Sequence, residues 1–291
     1  MSPKAQVAVI GGSGVYDLDG LTDVEKVDFT TPWGAPSDQF TLGNVGDVRV
    51  AFLPRHGSHH QYMPTEVPYR ANIYALAMMG VQRLLSVSAV GSLTEEYEPG
   101  DFVMVDQFID RTNQRQQTFF GGGIVAHMPM ADPIDMDMAR AVAAQADNMP
   151  ELKVHLGGTY VTMEGPQFST RAESELYRSW GAKIIGMTNG TEAKLAREAG
   201  ICFATIAMVT DFDCWHPHHD DVDVELIVQT AQNNARKVRQ LVWNSIQPIA
   251  ALGESPWLAA LKGSVMTPPK RWSDEARTKN EAILRNAGLL D

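Results

Sequence analysis

A single α/β domain on a mixed, largely parallel sheet flanked by helices is the fold this sequence predicts, and three observations predict it. Strand-like apolar runs alternate with helical segments along the chain, the order that lays helices over a parallel sheet. The runs at residues 7–10, 84–90 and 201–210 are apolar, small or β-branched almost throughout, as strands buried on both faces are. At the C-terminal ends of five runs stand small hydroxyls, arginine or acids, where open α/β sheets bind their ligands.

The first strand, residues 7–10, opens into Gly11-Gly12-Ser13-Gly14. Glycines let backbone N–H groups approach an anion there and Ser13 adds a hydroxyl, although a plain tight turn explains the same residues. Asp17 stands where a dinucleotide fingerprint has its third glycine, and no Gly-Lys-Ser/Thr follows as in a Walker loop. Residues 47–53 read as a strand ending in Pro54-Arg55-His56-Gly57, in which Arg55 offers a forked, permanently charged donor set to an oxyanion. Residues 69–79 read as a helix opened by Pro68 and stopped by Gly80. Strands follow at 84–90, with Ser88 near its end, and at 101–105. From 111 to 131 the chain is irregular, with three glycines at 121–123 and His127 beyond; such a loop is functional or packs on a partner.

A helix is expected from Pro133 to about Asp147, then a strand at 158–163. Thr170 and Glu173 have capping-box spacing for a helix ending at Gly181. A strand at 183–187 brings Thr188 to its end, and a helix over 192–199 follows. The helix N-terminus near 188–191 is a natural anion site. The run 201–210 ends in Asp211-Phe212-Asp213. If it stays extended two residues further, both carboxylates face one side and hold or protonate a nitrogen-rich ring; a turn with two solvated acids is the alternative. Val224, Ile227, Val228, Ala231, Ala235 and Val238 recur at the spacing of a long amphipathic helix. The expected organisation is one domain over 1–252 and an extension over 253–291, Pro-rich and then helical, packing on the body or on a neighbouring subunit.

Composition narrows the function. The chain of 291 residues is 44% hydrophobic and 20% charged, enough for a large core. Its net charge of −11 argues against nucleic-acid and anionic-membrane surfaces. No apolar run approaches the roughly 20 residues of a spanning helix. Met1-Ser2-Pro3-Lys4 runs into the first strand without a secretory pattern, so a cytoplasmic protein is expected. Cys202 and Cys214 are too few for a disulfide framework. His56, His59, His60 and the 216–221 stretch lack completing ligands, so no metal is expected. Four strand ends, at Ser13, Arg55–His56, Ser88 and Thr188, suit phosphate; the fifth, at Asp211 and Asp213, suits a ring. With no Cys–His or Gly-x-Ser-x-Gly nucleophile, phosphate itself is the expected attacking group.

These residues resemble the trimeric purine-nucleoside phosphorylase family over about 6–249. The resemblance is carried by Gly11-Gly12-Ser13-Gly14, Arg55-His56-Gly57, residues 89–93, residues 106–112, Glu164-Gly165-Pro166-Gln167-Phe168, Met187-Thr188 and residues 210–215. It implies one α/β domain whose central sheet closes toward a barrel, and a homotrimer whose sites are shared between subunits. It implies phosphorolysis of 5′-methylthioadenosine to adenine and 5-methylthioribose 1-phosphate, a salvage reaction for purine and methionine, with phosphate as co-substrate and no cofactor. Ser13, Arg55, His56, Ser88 and Thr188 then resemble the phosphate shell, and Met187 the residue beneath the ribose. Ala89, Phe168 and Ser169 resemble residues beside the substrate. Asp211 resembles the acid serving N7 and the exocyclic amine, and Asp213 its supporting partner. Val224, Ile227 and Val228 resemble the methylthio pocket, and His127 a residue lent by the neighbouring subunit. Thr191 replaces the family's proline before Glu192, which predicts a looser turn on the phosphate side.

Two other readings share these motifs. A phosphorylase for 6-oxopurine nucleosides or methylthioinosine has the same phosphate shell, but its family members carry Asn at the position of Asp211, since an amide donates to a 6-oxo group. A non-catalytic nucleoside or phosphate sensor is expected to have lost Asp211 or Arg55.

Overall fold

The computed structural model describes residues 4–12, 20–217 and 224–290, the side chains of Val224, Leu226 and Ile227 excepted. Ser13, most of the 216–221 stretch, and the Val224 and Ile227 side chains therefore lie outside the described residues.

Among the described residues, eleven strands form one mixed sheet: β1 (Val7–Gly11), β2 (Thr22–Val27), β3 (Phe40–Val45), β4 (Val48–Pro54), β5 (Arg83–Ser92), β6 (Phe102–Met104), β7 (Gln107–Asp110), β8 (Val154–Leu156), β9 (Thr159–Thr162), β10 (Ile184–Gly186) and β11 (Cys202–Asp211). Its spine is the parallel pair β5 and β11, which runs in register from Arg83↔Cys202 to Val90↔Val209. All of β11 is buried, and up to Val209 its residues are apolar apart from Thr205. From β5 one arm continues through β1, β4, β3 and β2, another through β10, β9 and β7, and a third through β11, β6 and β8.

The sheet does not close into a barrel. The second and third arms are joined along the chain, where β6 runs into β7 through Val105 and Asp106 and β8 runs into β9 through Gly157 and Gly158; between the two bends the Asp106 N–H donates to the Gly158 carbonyl at 3.4 Å, outside the paired strands. Tyr160, Val103, Val105, Ile184 and Val209 fill the space these arms enclose.

The helices are α1 (Tyr69–Met79), α2 (Met136–Ala143), α3 (Arg171–Ser179), α4 (Asn189–Glu198), α5 (Val224–Ala250), α6 (Trp257–Ser264), α7 (Asp274–Lys279) and α8 (Glu281–Asn286). α1 has the predicted bounds, with Gly80 at φ 75° ending it in the left-handed conformation. α2 starts later than Pro133, because Asp135 caps it by accepting from the N–H groups of Asp137 and Met138. α3 carries the complete predicted capping box. The extension beyond Gly253 packs on its own chain: Trp257, Leu261, Trp272, Ile283 and Leu284 join the main core cluster. Each such burial contributes roughly 1.5–3 kcal/mol. Asn286 Nδ2 also donates to the Ala77 carbonyl at the end of α1, at 2.8 Å.

Candidate active site

The site is built where β5 and β11 end together. Their register shifts between Val209 and Asp211, so that Asp211 comes opposite Gly91. A Cβ at Gly91 would stand 2.9 Å from Asp211 Oδ1, so only glycine lets the two strand ends approach this closely. Two residues before Gly91 on that strand, Ala89 is the one exposed position of β5, which marks the opening.

Asp211 is buried, accepting from Thr210 Oγ1 at 2.6 Å and from the Asp213 N–H at 2.8 Å. Of the two alternatives, an extended strand and a turn, the structure has the turn, with Asp213 at φ 49° and both acids buried rather than solvated. The Asp211 carboxylate captures the N–H of Asp213 and folds the chain into a turn, as aspartates at turns do. Burial raises the Asp211 pKa above its ordinary value, opposed by those two hydrogen bonds. Asp213 is pushed up to about 6, first by burial and then by the Asp211 charge, against the nearby Ser174 hydroxyl. Its Oδ2 and the Ser174 Oγ are nevertheless both buried without a hydrogen-bond partner. For Asp211 the cause is thus burial.

On the anion side, the antiparallel pairs Ile184↔Ser92 and Ile185↔Gly91 run Met187 and Thr188 back towards Ala89 and Ser88. Thr188 is the N-cap residue of α4, and its side chain does not cap the helix. Ser88 Oγ donates to the Ala89 carbonyl at 3.2 Å and lies 3.4 Å from the Tyr160 hydroxyl. His56 Nδ1 lies 2.8 Å from the Tyr62 carbonyl. A carbonyl only accepts, so Nδ1 carries the proton and Nε2 of the neutral ring is an acceptor. Burial, and then the Arg55 charge, lower the His56 pKa to about 4.

Arg55 is 2% exposed, and its described hydrogen bonds point into the protein. Nε and one terminal nitrogen bind the Glu192 carboxylate at 2.5 and 3.0 Å, and Ser86 Oγ at 2.6 Å, the Val87 carbonyl at 2.9 Å and the Ile10 carbonyl at 3.5 Å also accept from the guanidinium. A buried guanidinium needs such a counter-charge. Asn189 Nδ2 binds both Ser86 Oγ and Glu192, and the Gly190 N–H donates to Thr162 Oγ1 at 3.1 Å. The turn around residues 189–191 is therefore held fast, not loosened as the missing proline suggested, and α4 begins at Asn189, before the expected start. Ser86, Asn189 and Glu192 were not legible as site residues. The one signal was Ser86, two residues before Ser88 and so on the same strand face.

The remaining expected residues are more dispersed. Phe168 is 40% exposed and Val228 46% exposed. Ser169 Oγ approaches Met163 Sδ at 3.7 Å, and its carbonyl accepts from Cys214 at 3.3 Å. His127 is exposed, its N–H bound to the Ser264 carbonyl at the end of α6. The structure does not gather it with Asp211 or Thr188: the loop ahead of it is anchored to Glu198, at the other end of α4, through Thr118 and Phe119. Among the described residues no group of three or more His, Cys, Asp or Glu side chains could hold a metal ion.

The family model described as the phosphorylase superfamily matches residues 6–247. The chain is 51% identical over 286 residues to the S-methyl-5′-thioadenosine phosphorylase of Gloeobacter violaceus, covering 97% of this chain and 96% of that one. It is 54% identical over 267 residues to the protein of the same name from Thermosynechococcus vestitus, covering 91% and 92%. Among solved structures, a methylthioadenosine phosphorylase from an antarctic soil metagenomic library matches with a TM-score of 0.92 at 48% identity, covering 97% of this chain and 99% of that one. The methylthioadenosine phosphorylase of Schistosoma mansoni, in complex with adenine, matches with 0.84 at 38% identity, covering 90% and 98%.

Proposed function

The chain belongs to the phosphorylase superfamily, and from that premise we propose that it cleaves 5′-methylthioadenosine with inorganic phosphate, giving adenine and 5-methylthioribose 1-phosphate. The observation that carries the reading is Asp211, a buried carboxyl with a raised pKa at the open end of β5 and β11. In its protonated form this group donates to N7 of the departing purine while its other oxygen accepts from the 6-amino group. A phosphate oxygen forms the bond to C1′ as the C1′–N9 bond breaks, and the electron pair enters the purine. The bound phosphate dianion stabilises the positive charge that develops on the ribose. The hydroxyl proton of the monohydrogen phosphate balances the proton given to the base, and His56 Nε2 is an acceptor suited to it.

Ser13, Arg55, His56, Ser88 and Thr188 form the phosphate shell in this reading, with Arg55 acting as a charge fixed by Glu192. Met187 packs beneath the ribose, Ala89, Phe168 and Ser169 flank the base, and Val224, Ile227 and Val228 take the methylthio group. The protein works as a cytoplasmic homotrimer without a cofactor. The position of His127 supports the shared site. α4 spans about 15 Å at ~1.5 Å per residue, with Thr188 at one end and the His127 loop tied to the other. In this reading His127 is lent to a neighbour's site.

The test is adenine release from methylthioadenosine with and without phosphate, with 31P NMR of the product. A sugar 1-phosphate formed in equal amount to adenine is expected. Equal release in phosphate-free buffer would make the enzyme a hydrolase.

A further inference from the structure

We propose that Arg115 is a positioning residue that sets where Met187 and the start of the 164–168 loop stand against the ribose; the proposal rests on the phosphorolytic reading above. Arg115 comes from the irregular segment after β7, yet its side chain is fully buried. Its Nε donates to Glu164 Oε1 at 3.0 Å and one terminal nitrogen to the Glu164 carbonyl at 2.7 Å. The other terminal nitrogen donates to the Met187 carbonyl and to the Tyr69 hydroxyl, the latter at 3.1 Å. Glu164 in turn accepts from the N–H groups of Asn113 and Gln114 at 2.5 and 3.1 Å, and from Thr65 Oγ1 at 2.7 Å.

One guanidinium thus ties together the chain leaving β7, the chain leaving β9, the chain leaving β10 and the N-terminus of α1. The Glu164 carboxylate adds the segment after β4 through Thr65. Met187 is fixed on two sides: Arg115 holds its carbonyl, and Gly165, at φ 70°, lies so close that a Cβ there would fall 2.5 Å from Met187 Sδ. These contacts require a planar fork with several fixed donors, which arginine has and lysine lacks. Reactions that depend on alignment lose about 10²-fold in rate for a displacement of about 1 Å. Thr188, next to Met187, shares the same support, while Asp211 is held from β5 and β11.

The experiment measures the Michaelis constant for methylthioadenosine and the dissociation constant of free adenine in wild type, Arg115→Met and Arg115→Lys. Adenine lacks the ribose that Met187 underlies. The proposal expects the methylthioadenosine KM to rise at least tenfold in both variants while adenine affinity changes less than threefold. Arg115→Lys should recover little, since one ammonium cannot span the Met187 and Glu164 carbonyls. A KM within twofold of wild type in either folded variant overturns the proposal, and so does a parallel loss of adenine affinity, which marks general damage to the site. If Arg115→Met does not fold, Arg115→Lys decides by the same two criteria. Wild-type phosphorolysis, measured first, separates failure of the functional reading from failure of this one.

Discussion

The backbone N–H of Asp213 donates to Asp211 Oδ1 at 2.8 Å, and this bond turns the chain out of β11. It keeps the two acids adjacent while giving them different surroundings. Asp211 also accepts from Thr210, whereas Asp213 Oδ2 is buried with no partner. Two carboxyls with distinct environments at one strand end are suited to holding and delivering a proton.

Stability should therefore depend on pH through Asp213. Its carboxyl titrates near 3.8 when exposed and near 6 in the fold. The folded state binds the additional proton between those values. The contribution is present in full below about 4 and is lost as pH rises through about 6, for a total on the order of 3 kcal/mol. Asparagine tolerates the left-handed backbone and does not ionise. Thermal melts of Asp213→Asn should gain on wild type from pH 4 to 6 and keep a constant difference above that. A difference independent of pH across the window would show that the Asp213 carboxyl keeps its ordinary pKa in the fold.

Arg55 and Glu192 should behave as a unit in stability but not in phosphate binding. Arg55→Ala leaves the Glu192 carboxylate, 2% exposed, without its cation. That loss costs about 3–5 kcal/mol. Adding Glu192→Gln should restore part of the urea stability while the phosphate KM remains raised. Recovery of the phosphate KM in the double variant would remove Arg55 from the phosphate shell.

Much of this arrangement was legible in the sequence. β11 and the acids at its end were visible because a strand buried on both faces excludes polar residues until it emerges. α1 and α3 carried explicit stop and cap residues. β2 was missed because all but one of its side chains are exposed and carry no apolar pattern. Glu192 and Arg115 were missed for another reason. Each acts through a partner distant in the chain, Arg55 for one and Glu164 for the other, and spacing along a sequence does not report such pairs. The sequence left a turn and an extended strand both open at Asp213, because a carboxylate binding the N–H two residues on competes with the strand.

His56 should remain neutral throughout the working range. Its pKa of about 4 predicts an imidazole whose NMR shifts stay constant from pH 8 down to about 5.5. A midpoint near 6.5 would mean that the ring is solvated and that Nε2 is not a standing acceptor for the phosphate proton.

Assembly is tested by sedimentation. His127 is exposed, and its N–H is bound to the Ser264 carbonyl at the end of α6. A homotrimer is expected, and His127→Ala should raise the methylthioadenosine KM without altering the melting temperature. An active monomer would contradict the shared site.

The most direct test concerns Asp211 as the acid that reads a 6-amino base. Asp211→Asn preserves size and removes the proton donor, so kcat/KM for methylthioadenosine should fall about 10²–10⁴-fold, the range for losing a general acid. In the wild type the same parameter should decline as pH rises through the raised Asp211 pKa, because the protonated form is the active one. Activity on methylthioinosine should fall less, or rise, since the new amide donates to a 6-oxo group. The measurement is the ratio of kcat/KM for the two nucleosides in wild type and variant. A shift toward methylthioinosine of at least tenfold is expected; an unchanged ratio would mean that Asp211 does not read the base.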